Sequence, residues 1–95
     1  MTLDQFHSTE KGVSAKPVFR SDQATVTSLQ ILQGELLREH VSKVRAWLLC
    51  VSGEVIYGSE LGENLQLRAG EFQEIPPMIK HWVEGMQDSQ LILVR

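Results

Sequence analysis

Residues Gly34–Gly53 read GELLREHVSKVRAWLLCVSG, and residues Gly70–Gly85 read GEFQEIPPMIKHWVEG. Each stretch begins and ends at a glycine and contains one histidine, His40 in the first and His81 in the second. Glycine adopts the backbone angles that tight turns require, and the two adjacent prolines of the second stretch must end a strand because they cannot donate to a sheet. The two stretches therefore predict short strands, joined by turns, that each present one histidine.

The same pattern continues on both sides of these stretches. Ala24–Leu32 (ATVTSLQIL) is rich in β-branched residues, and Val44–Val51 is a nearly continuous apolar run, which is typical of a strand buried on both faces. Turn signals roughly every 8–12 residues, with no helical apolar stripe, are typical of a sandwich or a closed barrel. The sequence therefore predicts an all-β fold. Its other short strands are expected from Val18 onward and over Glu35–Glu39, Glu54–Ser59, Leu65–Leu67, Phe72–Ile75, His81–Glu84 and Gln90–Val94.

The length of 95 residues predicts one small domain. Residues 1–16 are polar and irregular, and we interpret them as an N-terminal arm whose composition suits a flexible segment. Residues 17–95 then form the single barrel domain. His7 lies in the arm and is expected to be solvated.

Composition excludes several classes of partner. The chain has nine basic and twelve acidic residues with no cluster of lysine or arginine, so nucleic acid is not an expected partner. Its apolar stretches are too short to span a bilayer, and its N-terminus has neither the basic nor the apolar region of a secretory signal. The single cysteine, Cys50, cannot form an internal disulfide. A cytoplasmic protein with no membrane partner is predicted.

The two glycine-bounded stretches resemble the two sequence motifs of the cupin family, written G-x5-H-x-H-x3/4-E-x6-G and G-x5-P-x-G-x2-H-x3-N. The resemblance covers about Gln23 to Val94 and implies a double-stranded β-helix, or jelly-roll, barrel in which both motifs face one cavity. The framework residues that carry it are Gly34, Gly53, the turn Leu67–Glu71, Ile75-Pro76-Pro77 and His81.

The family's metal ligands, three histidines and a carboxylate, are only half present. His40 and His81 match two of the histidine positions, and the resemblance implies that these two would hold a divalent metal such as Fe, Mn, Ni or Zn. The second histidine position of the first motif is Ser42, and its glutamate position is Ala46. A carboxylate would have to come from elsewhere, and Glu74 and Glu39, which lie close to the motif residues, are the candidates.

The second motif also departs from the family pattern, with Met78 and Gly85 in place of its glycine and its asparagine. In an extended strand, alternate residues share a face, so His40, Ser42, Ala46, Leu48 and Cys50 should point the same way. That face would line the barrel. The predicted pocket-lining residues are Ser42, Ala46, Leu48 and Met78.

The opposite face of the same segment carries Trp47, Leu49 and Val51. A face this apolar should not remain in water, so it is expected to pack on another sheet or subunit. Many small cupins are similar dimers. The sequence therefore predicts a homodimer.

Three functions stay open at this point. The barrel could bind a small-molecule ligand without a metal, with His40 and His81 as hydrogen-bonding or titrating groups. Alternatively, the chain could be a metal-dependent enzyme resembling cupin dioxygenases, isomerases or decarboxylases, in which the two histidines hold the metal and Glu74 completes or assists the site. A third alternative is an interaction protein that acts through its dimer face or its N-terminal arm.

Overall fold

Alternating and apolar segments of the chain form nine β-strands in the computed structural model, which describes all 95 residues. A short 3₁₀ turn at Leu3–Phe6 precedes them. No helix is long and apolar enough to cross a membrane. The prediction of an all-β fold is confirmed. The strands are β1 (Val13–Arg20), β2 (Thr25–Ile31), β3 (Leu36–His40), β4 (Ala46–Ser52), β5 (Glu54–Ser59), β6 (Asn64–Arg68), β7 (Phe72–Ile75), β8 (His81–Gly85) and β9 (Ser89–Val94).

The strands are arranged in two sheets that enclose one core. One sheet has five strands in the order β1-β2-β9-β4-β7, and the other has four in the order β3-β8-β5-β6. Every pairing is antiparallel. The buried apolar core comprises Leu29, Ile31, Ala46, Leu48, Cys50, Val55, Tyr57, Leu67, Ile75, Val83 and Leu91.

Strand β4 shows how the alternation of side chains builds this core. Ala46, Leu48 and Cys50 are buried, whereas Trp47 and Leu49 are only half-buried on the opposite side of the sheet. The two predicted faces are confirmed from Ala46 to Cys50. The prediction of one extended segment over residues 40–50 is wrong, because β3 ends at His40 in the other sheet and β4 begins only at Ala46. Burial raises the pKa of the Cys50 thiol, and the charges of Glu71 and Glu54 raise it further.

The turn between β4 and β5 depends on Gly53, which has a φ of +84°. A Cβ at this position would overlap the Ser89 hydroxyl oxygen and lie 2.5 Å from the carbonyl oxygen of Asp88. Only glycine therefore allows the hairpin to approach the start of β9 this closely. Gly70 has a similar φ of +86°, but open space surrounds the position of its missing Cβ.

The N-terminal segment lies against the five-stranded sheet. Strand β1 starts at Val13, so residues 13–16 belong to the sheet and not to the arm in which the sequence placed them. The Nδ1 and Nε2 atoms of His7 lie 2.8 Å from Ser14 Oγ and 2.9 Å from Ser28 Oγ. The expectation of a solvated His7 is wrong, because the hydroxyl groups of Ser14 and Ser28 on the outward face of β1 and β2 are its hydrogen-bond partners. Burial lowers the pKa of His7, and the charge of Lys16 lowers it further.

Met78 is the one non-glycine residue with a positive φ, at +63°, and it occupies the position at which the second cupin motif has glycine. It lies in the connection between β7 and β8, its N–H donates to the carbonyl oxygen of Ser42 at 2.8 Å, and its side chain is exposed. The left-handed region costs a non-glycine residue about 1–2 kcal/mol. We therefore expect Met78→Gly to raise the free energy of unfolding by about 0.5–1 kcal/mol once the greater freedom of glycine in the unfolded chain is subtracted.

Urea denaturation checks this expectation, with Met86→Gly as the matched control. Met86 is also exposed but does not have a positive φ, so its replacement should lower the free energy of unfolding by about 0.5 kcal/mol. Equal destabilisation by both substitutions would show that the backbone of Met78 is not strained.

Candidate functional site

His40 and His81 meet at one end of the barrel. His40 is the last residue of β3 and His81 is the first residue of β8. The two strands are neighbours in the four-stranded sheet, and the two histidines lie directly opposite each other in its register. The centres of their rings are 4.1 Å apart, and the ring planes are inclined by 57°. The structure thus brings together the two histidines that the sequence singled out.

A backbone carbonyl group holds each of the two rings in a fixed orientation. His40 Nδ1 lies 2.9 Å from the carbonyl oxygen of Arg38, and His81 Nδ1 lies 3.1 Å from the carbonyl oxygen of Ile79. A carbonyl oxygen only accepts hydrogen bonds, so each Nδ1 carries the proton and donates it. In the neutral ring each Nε2 is then an acceptor, and neither Nε2 has a hydrogen-bond partner within the chain.

The surroundings of His81 favour its neutral form. The residue is 3% exposed. Burial lowers the pKa of His81, the hydrogen bond to Ile79 opposes this effect, and the charges of His40 and Arg95 add to it. A neutral imidazole at this position keeps its Nε2 lone pair available near neutral pH.

These shifts predict that the fold loses stability in mild acid. Burial lowers the pKa of His7 and of His81 in the folded state, whereas in the unfolded chain both have the ordinary histidine pKa of about 6.5. Below about pH 7 the unfolded chain therefore binds more protons, and the free energy of unfolding falls as the pH drops through 6.5 toward the lower folded-state values. The contribution is fully present above this window.

Urea denaturation from pH 8 to pH 5 measures how steeply the free energy of unfolding falls as the pH drops. His81→Asn and His7→Asn should each reduce this slope. Asparagine keeps an N–H donor near the position of Nδ1 but does not titrate. An unchanged slope in the double variant would mean that other groups cause the acid sensitivity.

A second layer of polar groups lies beside the histidine pair, contributed by β5 and the turn that follows it. Ser59 is paired with His81, and its hydroxyl donates to Glu63 Oε1 at 2.9 Å. The Tyr57 ring stacks on the His81 ring with centres 6.0 Å apart. The hydroxyl of Tyr57 is fully buried and has no hydrogen-bond partner. Burial raises the pKa of Tyr57, and the charge of Glu63 raises it further.

The sequence did not single out Tyr57, Ser59 or Glu63. The alternation of Val55, Tyr57 and Ser59 places them on one face of β5, and that alternation was the available signal. What the sequence could not supply is the pairing of Ser59 with His81, because β5 and β8 are separated by two further strands along the chain. The site therefore comprises His40 and His81 with Tyr57, Ser59 and Glu63.

Solved structures share this arrangement of strands over almost the whole chain. A cupin superfamily protein from Desulfitobacterium hafniense has a TM-score of 0.85 and 15% sequence identity, with 97% of this chain and 84% of that protein covered. An RmlC-like cupin family protein with a double-stranded β-helix fold, from Methanocaldococcus jannaschii, has a TM-score of 0.79 and 14% identity, with 94% and 84% covered. This chain folds as a cupin barrel.

A cupin 2 conserved barrel domain protein from Leptotrichia buccalis has a TM-score of 0.82 and 22% identity, with 93% of this chain and 42% of that protein covered. The sequence matches no protein-family model and no curated protein. At these identities the likeness shows the cupin fold, which confirms the barrel expected from the resemblance of the two motifs.

The donor atoms of this cupin site do not fit a complete metal centre. Glu74 is paired with Trp47 across β7 and β4, so it lies on the outer face of the sheet, where its carboxylate forms an ion pair with the Arg45 guanidinium. The structure therefore does not bring Glu74 to the two histidines. No group of three or more histidine, cysteine or acidic side chains is placed to hold a metal ion, whereas protein sites for these metals commonly use three or more ligands.

The four predicted pocket-lining residues do not surround one cavity. Leu48 belongs to the packed core, Met78 is exposed, and Ser42 is buried with its hydroxyl donating to the carbonyl oxygen of Val44 at 2.7 Å. Ala46 lines a cavity of about 250 Å³, together with Arg95, at the end where β4 begins and β9 ends. The positions differ from the prediction because apolar side chains fill the middle of this small barrel and leave the polar groups at its end.

A larger cavity, of about 480 Å³, lies on the outer side of the five-stranded sheet. Residues of the N-terminal segment, including Thr2 and Asp4, form one wall, and Gln30 and Gln90 are among the residues that form the other. Neither cavity is lined by His40 or His81. The histidine pair is thus a site at the mouth of the barrel and not inside a deep pocket.

Proposed function

We propose that this chain is a cupin that binds a small polar molecule at the mouth of its barrel through His40 and His81. The observation that supports the proposal is the pair of imidazole rings with centres 4.1 Å apart, each held by a backbone carbonyl through Nδ1. Two acceptor atoms on neighbouring strands, fixed in orientation, are preorganised for a ligand that donates two hydrogen bonds.

The two imidazoles indicate the chemistry of the ligand. In the neutral ring each Nε2 accepts a hydrogen bond. A small molecule with adjacent hydroxyl or amine groups satisfies both rings.

The metal-dependent enzyme remains the alternative, and one feature favours it. Histidines that bind metals usually donate their second ring N–H to a carbonyl or carboxylate group, as both Nδ1 atoms do here. The count of ligands opposes it, because Ser42 and Ala46 occupy the remaining family positions and Glu74 lies on the other face of the sheet. We therefore favour binding without a metal.

Histidine ring NMR tests the proposal directly. Glycerol, a monosaccharide and a small amino alcohol are titrated as probes into protein with labelled imidazole nitrogens. We expect the best probe to shift the Nε2 signals of His40 and His81. The Nε2 signal of His7 should not shift, because this atom is already hydrogen-bonded to Ser28 Oγ. His40→Ala and His81→Ala should each weaken binding about tenfold or more.

His7→Ala is the matched control and should leave the affinity unchanged. A probe that binds equally well to the His40→Ala/His81→Ala double variant would contradict the assignment of the site. Elemental analysis of protein purified without a tag or chelator distinguishes the alternative. About one metal ion per chain, lost in the double variant, would favour the metal-dependent enzyme instead.

A further inference from the structure

The larger of the two cavities lies outside the barrel, between the N-terminal segment (residues 1–12) and the outer face of the five-stranded sheet. We call it the outer cavity. Its volume is about 480 Å³, which falls within the range of about 300–1,000 Å³ that small-molecule sites usually have. The outer cavity is therefore large enough to hold a small organic molecule.

Hydrogen bonds hold the N-terminal segment over the sheet, so that it forms a fixed wall of the outer cavity. The two ring nitrogens of His7 lie 2.8 Å and 2.9 Å from the hydroxyl oxygens of Ser14 and Ser28. The side-chain amide of Gln30 donates to the carbonyl oxygen of Ser8 at 3.1 Å. Both walls are thus joined by contacts within the chain, and the cavity is preformed.

Two glutamine side chains form part of the opposite wall. Gln30 and Gln90 are partners in the register of β2 and β9, and Gln90 Nε2 donates to Gln30 Oε1 at 2.7 Å. The Oε1 atom of Gln90 is buried and has no hydrogen-bond donor within the chain. Its partial negative charge is therefore uncompensated, and this charge acts on a molecule in the cavity without direct contact.

The two charged side chains that line the outer cavity are both acidic. Asp4 belongs to the N-terminal segment, and Asp88 to the turn before β9. Neither is a member of the three ion pairs of the chain. The Thr2 hydroxyl donates to Asp4 Oδ1, and the N–H of Gln33 donates to Asp88 Oδ1 at 2.9 Å. The Oδ2 atom of each carboxylate has no partner within the chain and remains available to a ligand.

Apolar side chains also line both walls of the outer cavity. Leu3 belongs to the N-terminal segment, Leu32 follows β2, and Val51 lies on the outer face of β4. Removing apolar surface from water favours binding roughly in proportion to the area covered. A ligand that fits this cavity therefore combines a polar group for the carboxylates with a short apolar chain.

We propose that the outer cavity binds a small organic amine, whose ammonium group pairs with Asp4 and Asp88. An ammonium group donates three hydrogen bonds and accepts none, which matches a cavity whose unused polar groups are acceptors. An anionic ligand would be repelled, because no lysine, arginine or histidine lines the cavity. A metal ion is disfavoured, because no group of three or more ligand side chains is placed to hold one.

The outer cavity is separate from the site at the mouth of the barrel. Gln30 and Gln90 belong to the five-stranded sheet, whereas His40 and His81 belong to the four-stranded sheet. Neither histidine lines the outer cavity. The two sites therefore have different reporter groups, and binding at one is distinguishable from binding at the other.

Side-chain NMR of the full chain tests the proposal, with butylamine as the probe and with 1-butanol and butyrate as neutral and anionic probes of similar size. Butylamine should shift the side-chain amide signals of Gln30 and Gln90, and added salt should weaken its binding. The other two probes should bind about tenfold more weakly or less. Equal binding of 1-butanol would overturn the proposal, as would a butylamine titration that shifts only the imidazole signals of His40 and His81.

Substitution of the two carboxylates tests the assignment of the charge. Asp4→Asn and Asp88→Asn should each weaken butylamine binding about threefold, and the double variant about tenfold. Asparagine keeps an oxygen that can accept the hydrogen bonds from Thr2 and Gln33, so the walls of the cavity should be retained.

Asp22→Asn is the matched control, since it changes the net charge of the chain by the same amount. Asp22 is exposed in the turn between β1 and β2, at the opposite end of the sheet from the outer cavity. The control should leave the affinity for butylamine unchanged. Equal weakening by Asp22→Asn and Asp88→Asn would contradict the proposal, because the amine would then respond to net charge and not to the cavity.

Discussion

Replacing Gly53 by alanine is expected to lower the free energy of unfolding by about 3–5 kcal/mol. Two costs combine at this position. The φ of +84° is unfavourable for any residue with a Cβ, and that Cβ would overlap Ser89 and the carbonyl oxygen of Asp88. Since the neighbouring atom at Asp88 belongs to the backbone, relief requires the start of β9 to move away from the β4–β5 hairpin.

Gly70→Ala separates the two costs. Its φ of +86° matches that of Gly53, but no atom lies within 4 Å of the position of its Cβ. We expect it to cost only about 1–2 kcal/mol, the price of the backbone conformation alone. Urea denaturation measures the free energy of unfolding of both variants. Equal losses would show that the overlap with the start of β9 adds nothing to the cost of Gly53→Ala.

Leu48→Ala is the second substitution with a large expected effect, a loss of about 3–4 kcal/mol. Leu48 is 1% exposed at the centre of β4, and its removal leaves a cavity in a core of only eleven residues. A small domain has about 5–15 kcal/mol of stability in total, so the loss removes a large part of it. The physical reason is that packed neighbours relax only partly into the empty space.

Leu49→Ala is its neighbour and its control. Leu49 points to the outer face and is half-buried, so the same deletion should cost about 1 kcal/mol. Urea denaturation of both variants distinguishes the two residues. Similar losses of the free energy of unfolding would mean that the two faces of β4 are equally buried.

The strands were predictable because their patterns are local. Alternation in β4, the glycine turns and the proline pair each depend on a few consecutive residues, and the structure places strands where those signals occur. The N-terminal boundary was not predictable in this way. Residues 7–16 have few apolar side chains, and they are held by Ser28 and Gln30, which are distant in the chain and look like ordinary exposed polar residues.

The residues of the candidate site also differ in whether local sequence could predict them. His40 and His81 could be found because each matches a histidine position of a cupin motif within its own segment. The role of Glu74 could not be decided, since spacing places it close to the motif and only the pairing of β7 with β4 places it on the outer face. Tyr57 and Ser59 became part of the site through the pairing of β5 with β8.

The burial of Cys50 allows the opening of the barrel to be measured by the rate at which this thiol is labelled. Cys50 carries the single thiol in the sequence, and this thiol is fully buried and has a raised pKa. A thiol reagent therefore cannot reach a reactive thiolate while β4 and β9 remain paired. The rate of labelling by an aromatic disulfide therefore reports how often the barrel opens. In Gly53→Ala and Leu48→Ala this labelling rate should increase in step with the loss of stability, and no cysteine has to be introduced to measure it.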